Sequence, residues 1–397
     1  MSLTPPPPED PHGHLNPTGP AADDPAFAHR APGRARSGMA AGAAIIVLIA
    51  VAVLVALLVA GYLAVALGAS VVAVGTLLAL VPLAIVLLAV RWVDRWEPEP
   101  RWALWLAFLW GAAVSVAIAL IVDLGVQLFA AFTSPDGAST DQAIQAVVQA
   151  PIVEEIAKGA GVLLIFLLAR SHFDGPVDGL VYGATVAAGF AFTENILYFG
   201  VALIEGGAGE LGTTFIIRGL FSPFAHVLFT ACTGVAIGFA ARRGRGAGVM
   251  AWFLVGLGAA ILLHAFWNGS LAFADAFALY FTVQVPIFIA AIVVTVLLRR
   301  QEQRVTRARL SEYAAAGWFS RDEVDGLSTW AGRRAALDWA RAQQPPRTAQ
   351  VRRFIADATR LAFTRNIIAT GRADVRRHED ERVLLEAVRR DRAAISA

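Results

Sequence analysis

"APIVEEIAKGAGVLLIFLLA", residues 150–169, is an apolar run of about one membrane crossing, yet it holds Glu154, Glu155 and Lys158 within five positions. A charge near the middle of a bilayer helix costs about 2.5–3.5 kcal/mol even on insertion scales. Lys158 is also the only lysine of the chain, every other basic residue besides histidine being arginine. A carboxylate with an ammonium one turn away on the same helix face is a charge kept in place by its counter-ion. The stretch therefore reads as a membrane helix that carries a base.

Its surroundings fit that reading. The 397 residues are 57% hydrophobic and only 16% charged, with mean hydropathy +0.60, whereas soluble domains carry about 25% charged residues. A crossing needs roughly 20 apolar residues. Spans are expected near 40–64, 69–90, 103–133, 145–169, 178–203, 213–241, 248–271 and 275–298. The fold class is thus all-α: a polytopic membrane bundle of about eight transmembrane helices with a small soluble helical C-terminal region. Residues 1–38 are polar and proline-rich and read as a disordered cytoplasmic tail. Residues 39–298 form the transmembrane domain, and 299–397, arginine-rich with apolar residues at helical spacing, form a cytoplasmic helical appendage. Cys232 is the sole cysteine, so no internal disulfide is expected.

Arginine placement sets the expected orientation. Arg30, Arg34 and Arg36 precede the first span, and "RWVDRWEPEPRW", "ARSHFDGP", "ARRGRGAG" and "RRQEQRVTRAR" fill alternate connections. The intervening loops "TSPDGASTDQ" and "IEGGAGELG" hold acids and no Lys or Arg. Both termini are expected in the cytoplasm, with 133–143 and 204–212 outside.

Polar groups inside the spans converge in depth. Glu154 and Glu155 lie in the fourth span, Glu194 in the fifth, His226 in the sixth, His264 and Asn268 in the seventh. At about 1.5 Å per residue Glu154, Glu194, His226 and His264 fall roughly 10–20 Å below the outer surface, a coincidence that scattered packing residues do not require. Spacing of four pairs Glu154 with Lys158, Ser222 with His226, and His264 with Asn268. Glu154 and Glu155 point about 100° apart, so one of them at most aims squarely at the centre. Asn195 and Thr230 read as interhelical hydrogen-bond formers, Asp123 with Gln127 as a structural acid pair, and Arg218 as a snorkelling residue at its span's outer end.

At these residues the chain resembles the PrsW family of intramembrane proteases, within the wider group that includes CAAX prenyl proteases. The likeness rests on "EEIAK" (Glu154, Glu155, Lys158), "FAFTEN" (Glu194, Asn195), "FSPFAHVLFT" (His226) and "HAFWNG" (His264, Asn268), with "DRWEPEP" before the third span. It covers roughly residues 90–275, and the wider group often has His where this chain has Glu194. The resemblance implies hydrolysis of peptide bonds in membrane-embedded or membrane-adjacent proteins, often anti-sigma factors. It implies Glu154 as general base, Glu155 in support and Lys158 as counter-charge. His226 and His264, with Glu194, bind a metal or hold the water, and Asn268 stabilises the oxyanion. Zinc suits such a donor set with one open position; the same residues also work without metal, as a glutamate protease. The expected partners are a membrane-anchored protein substrate and the bilayer, and no nucleic acid. Two other classes remain open on sequence alone: a proton-coupled transporter, for which an internal repeat is the usual sign, and a non-catalytic membrane scaffold.

Overall fold

The computed structural model describes residues 32–133, 142–170, 173–243, 248–272, 276–370 and 375–396. The loop expected outside at 133–143 lies almost wholly beyond these, as do the first 31 residues of the expected tail. The described chain is helical with no strand. It divides into two compact units, one of Ser37–Thr295 and one built from Val296–Ala397.

The first unit holds α1 (Pro32–Leu67), α2 (Ala69–Val93), α3 (Arg101–Leu109), α4 (Val116–Thr133), α5 (Ala150–Leu168), α6 (Pro176–Thr214), α7 (Ala225–Arg243) and α8 (Gly248–Ala272). It also holds the first part of α9 (Val285–Ala315). Wide π turns at Trp110–Ser115, Gln145–Gln149, Phe215–Phe221 and Tyr280–Gln284 precede α4, α5, α7 and α9. Such insertions are frequent at functional sites.

Among the described residues, six helical stretches are long and apolar enough to cross a membrane. One of them, Pro176–Arg242, runs 67 residues, about 100 Å if straight and over three times the hydrocarbon core. It turns back: Gly207 has φ +66° inside α6, and Ser222 leaves helical geometry before α7. It therefore supplies two crossings. Ala150–Leu168 is outside the six because Glu154, Glu155 and Lys158 sit within its 19 residues. With both counted, the eight expected crossings are present, α3 and α4 making one.

The helix α6 is central, packing against α2, α3, α5 and α7. Small residues make this arrangement, because apolar side chains gain little over lipid and close backbone approach supplies the attraction. A Cβ on Gly179 would lie 1.9 Å from the Gly234 carbonyl oxygen, and one on Gly234 equally close to that of Gly179. These two glycines set the α6–α7 crossing. The α2–α3 connection folds on itself through the Asp94 Oδ1 that accepts from Glu99 N at 3.0 Å. The Glu99 carboxylate then accepts from the Tyr182 hydroxyl of α6 at 2.5 Å.

The second unit adds α10 (Arg321–Leu327), α11 (Trp330–Ala342), α12 (Thr348–Ala369) and α13 (Val375–Ser396) to the end of α9. Ser320 and Glu323 form a reciprocal cap at α10, each side chain accepting the other's backbone N–H. Leu310, Tyr313, Trp318, Phe354, Leu361 and Val388 are among the residues of its core. This is the apolar periodicity that the arginine-rich sequence carries.

Candidate functional site

The site is assembled on α5 and closed by α6, α7 and α8. One turn of α5 brings Glu154, Glu155 and Lys158 into the bundle, all buried. Glu155 is fully buried and has three partners: Lys158 Nζ at 2.6 Å, His264 Nδ1 at 3.0 Å, and the Thr230 hydroxyl, which donates at 2.9 Å. Lys158, also fully buried, reaches Glu154 Oε2 at 3.4 Å and His226 Nδ1 at 3.2 Å, and lies 4.2 Å from the centre of the Phe190 ring. An ammonium so placed offsets two carboxylates at once. The two glutamates divide the work as their 100° separation requires: Glu154 lines a cavity, and Glu155 turns into the protein.

The two imidazoles stand face to edge with ring centres 5.2 Å apart and planes at 90°. His226 Nε2 is 2.8 Å from Glu194 Oε2, while its Nδ1 is 4.0 Å from Glu154 Oε2. His264 is arranged the other way round, with Nδ1 on Glu155 and Nε2 4.0 Å from Glu154 Oε2. His264 also stacks on Phe229, 4.6 Å between centres, and Phe229 meets Trp267 edge-on. Each histidine thus has one nitrogen tied to a carboxylate and the other turned towards Glu154.

Among the described residues, one group offers a metal three ligand atoms within 4.8 Å of one another: Glu154, His226 and His264. Two nitrogens and a carboxylate oxygen, with the outer nitrogens held by further carboxylates, are the donor set and the supporting contacts of a zinc site with an open position. The residues fit the metal. Glu194, expected as a ligand, instead contacts His226 Nε2 and pairs with Arg218. Glu154 takes its place in the converging set.

A cavity of about 130 Å³ opens on this group, lined among others by Glu154, Glu194, His226, His264, Asn268 and Arg218. That is room for several waters. Asn268 does not pair with His264; its amide donates to the Ala146 carbonyl at 2.8 Å, which anchors it at the π turn before α5. Ser222 likewise turns from His226 and donates to the Ile217 carbonyl at 2.7 Å. Asp123 pairs with Gln127 at 2.7 Å and is absent from the cavity lining.

Arg218 is the residue that sequence reasoning missed. Its guanidinium donates from Nε to Asn195 Oδ1 at 3.0 Å and from Nη2 to Glu194, and lies 3.9 Å from the centre of the Tyr198 ring. It is drawn into the cavity wall rather than out to the membrane surface. A signal was present: the loops on that side of the membrane pattern lack Lys and Arg, and a lone arginine at that end breaks the rule.

Fold and site together define a multi-pass membrane protein with a buried carboxylate–imidazole centre. Residues 99–295 match the PrsW family intramembrane metalloproteases, and over that segment the chain is similar to them. It is 32% identical over 155 residues to the protease PrsW of Geobacillus kaustophilus and 35% identical over 161 residues to that of Clostridioides difficile. These alignments take in 38% and 41% of this chain and 61% and 63% of those proteins. The Bacillus subtilis protease PrsW is 35% identical over 106 residues, 26% of this chain and 43% of that protein. The chain thus spans about three fifths of the length of the first two relatives. No solved structure matches it.

Proposed function

We propose that the protein is an intramembrane endopeptidase that hydrolyses a peptide bond in a membrane-anchored protein, with both termini in the cytoplasm. Anti-sigma factors are the substrate class that the family resemblance suggests. The observation that carries the reading is the convergence of Glu154, His226 and His264 around a polar cavity walled by membrane helices.

The chemistry follows from the contacts. A water held between Glu154 and the imidazoles gives a proton to the Glu154 carboxylate as its oxygen attacks the substrate carbonyl carbon. The same proton passes to the leaving nitrogen as the C–N bond breaks, giving one new carboxylic acid and one new amine, and the acid's proton then passes to the amine to leave a carboxylate and an ammonium. Glu155 and Glu194 hold the imidazoles in orientation, and Lys158 balances the acids of α5. Asn268, fixed through one N–H to Ala146, has a second N–H for the carbonyl oxygen as it takes up charge. A zinc ion would be held by Glu154, His226 and His264 and would supply Lewis acidity to the water and the carbonyl there.

The test is a comparison of cells expressing the chain or its Glu154→Gln variant, with mapping of new N-termini among membrane proteins. New termini within or beside single spans, present only with the unaltered chain, are expected. Identical maps would refute the reading.

A further inference from the structure

The bundle holds a second and larger cavity, of about 440 Å³. Its walls come from Ile85 and Ala89 of α2, Ala184 of α6, Val227 of α7, and Ala291 and Ile292 of α9, among others. Apart from Trp92 and Thr295, every lining side chain is hydrocarbon, and none is charged. Whatever enters must be apolar, since a polar group would lose water there without a partner. Trp92 and Ile292 on the rim are 45% and 63% exposed, so the cleft opens on the lipid-facing surface between α2 and α9.

This cleft adjoins the catalytic cavity. Phe221 and Phe224 line the cleft, Ser222 lines the catalytic cavity, and Pro223 lines both. The wall between them is therefore the stretch 221–224, which ends two residues before His226. That stretch is a break in the helix: the π turn ends at Phe221, Ser222 has φ −126° and ψ 33°, and α7 starts at Ala225. A hydrogen bond braces it from the other side, where the Tyr280 hydroxyl donates to the Phe221 carbonyl at 2.8 Å and the two rings stack. Tyr280 opens the π turn that leads into α9, the cleft's outer wall. A further polar tie of that turn is Gln284 Nε2 donating to Ser270 Oγ at 2.6 Å.

We propose that this cleft docks the membrane-spanning helix of the substrate, and that the 221–224 wall is the door through which its chain passes to the catalytic cavity. The proposal rests on the hydrolytic reading above. Dimensions agree: from Ile85 to Val93 the α2 wall is about 12 Å long, and from Phe288 to Thr295 the α9 wall is about 10 Å. Seven or eight residues of a docked helix fit that length, about a third of the ~30 Å hydrocarbon core. The remainder of the span continues past Pro223 to the level of Glu154. A lipid acyl chain has the right polarity but gives no reason for the cleft to share a wall with a polar, acid-lined chamber. A polypeptide gives one, because it must be apolar where it is held and present a carbonyl where it is cut. Helical peptide bonds are paired internally, so the docked helix must end at the door.

The test uses the full chain as Glu154→Gln in nanodiscs, with a benzophenone amino acid at Ala291, which lines the cleft, or at Val294, which is 50% exposed and does not. The probe is a fluorescent synthetic single-span peptide of leucine and alanine with lysines at its ends. Severalfold more peptide adduct at Ala291 than at Val294 is expected, and Ala89→Phe, which fills the cleft from α2, should remove the excess. Equal yields at the two positions, or adducts at Ala291 with lipid alone, would overturn the proposal. Docking here does not need turnover. Peptide capture at Ala291, with no new N-termini produced by the unaltered chain in cells, would sink the hydrolytic reading alone, and new N-termini without preferential capture would sink the cleft alone.

Discussion

Replacing Lys158 by methionine removes the only ammonium in the membrane unit and keeps the length and flexibility of the side chain. At an effective dielectric of about 20, a charge pair at the 2.6 Å of Glu155 attracts by about 6 kcal/mol, and one at the 3.4 Å of Glu154 by about 5 kcal/mol. Most of that offsets the burial of three charges, since Lys158 and Glu155 are both fully buried. What remains measurable is the cost of stranding the carboxylates, about 3–5 kcal/mol when one partner of a buried pair is deleted. Against a total stability of about 5–15 kcal/mol this is a large share. For a unit of this size it lowers the melting temperature by about 6 °C or more. The assay is thermal unfolding in mild detergent of the unaltered chain, Lys158→Met, Glu155→Gln and the double variant. The double variant removes both charges, so it should be less destabilised than the two single losses summed, by a coupling energy in the upper part of the usual 0.5–3 kcal/mol range. It should still fail to cleave, because His264 has lost its carboxylate. A Lys158→Met protein within about 1 kcal/mol of the unaltered one would refute the charge-balancing role.

Other outcomes follow from the same geometry. His264→Ala should abolish co-purifying zinc, measured by mass spectrometry of the metal, and cleavage with it; Glu194→Gln should weaken metal affinity by about 10–100-fold, as loss of a supporting contact does. Gly179→Ala forces a methyl to 1.9 Å from the Gly234 oxygen and should cost at least about 1–3 kcal/mol of stability. Burial pushes the Asp94 carboxyl from its ordinary 3.8 up to about 7, against the opposing pull of the Glu99 N–H and Arg91. The folded α2–α3 connection therefore binds an extra proton, and Asp94 destabilises it increasingly as pH rises from about 4 to 7. Asp94→Asn keeps the acceptor oxygen and should raise the melting temperature more at pH 8 than at pH 5; an equal gain at both would contradict that titration. With Cys232 replaced, a cysteine at Gly209 should react with an impermeant thiol reagent on intact cells, and one at Arg321 should not; the reverse would invert the proposed orientation.

The parts of the fold legible in the sequence are those governed by lipid. Long apolar runs are helices because an unpaired backbone has no partner in a bilayer, and the depth of Glu154, His226 and His264 could be counted along them. Rotation of each helix was not legible. Asn268 and Ser222 were assigned to histidines four positions away on the same face, yet both donate to main-chain carbonyls freed around π turns. Nothing in an apolar stretch announces a π turn, since one extra residue in a turn changes no composition. Arg218 escaped for a related reason: the turn at 215–221 rotates it away from the direction that an ideal helix would give. Gly179 and Gly234 were visible as small residues, but which glycine meets which is a property of the packed pair.

Glu194 shows why a carboxylate serves where the wider group often has histidine. A carboxylate only accepts, so His226 Nε2 must carry the proton that it offers at 2.8 Å. Lys158 supports the same assignment independently, because an ammonium only donates and it faces Nδ1 at 3.2 Å. The Nδ1 lone pair then accepts from that ammonium, on the side where Glu154 lies. Glu155 does the same for His264 through the opposite nitrogen, which leaves Nε2 with its lone pair towards Glu154. Two acids on different helices thereby set two tautomers so that both unprotonated nitrogens face Glu154, each at 4.0 Å. A histidine at 194 could either donate to or accept from His226, and the tautomer would no longer be fixed by chemistry. Arg218 completes the arrangement by pairing with Glu194 while Asn195 holds the guanidinium in place. The arginine that reads as a surface anchor in sequence thus orients a histidine two contacts away.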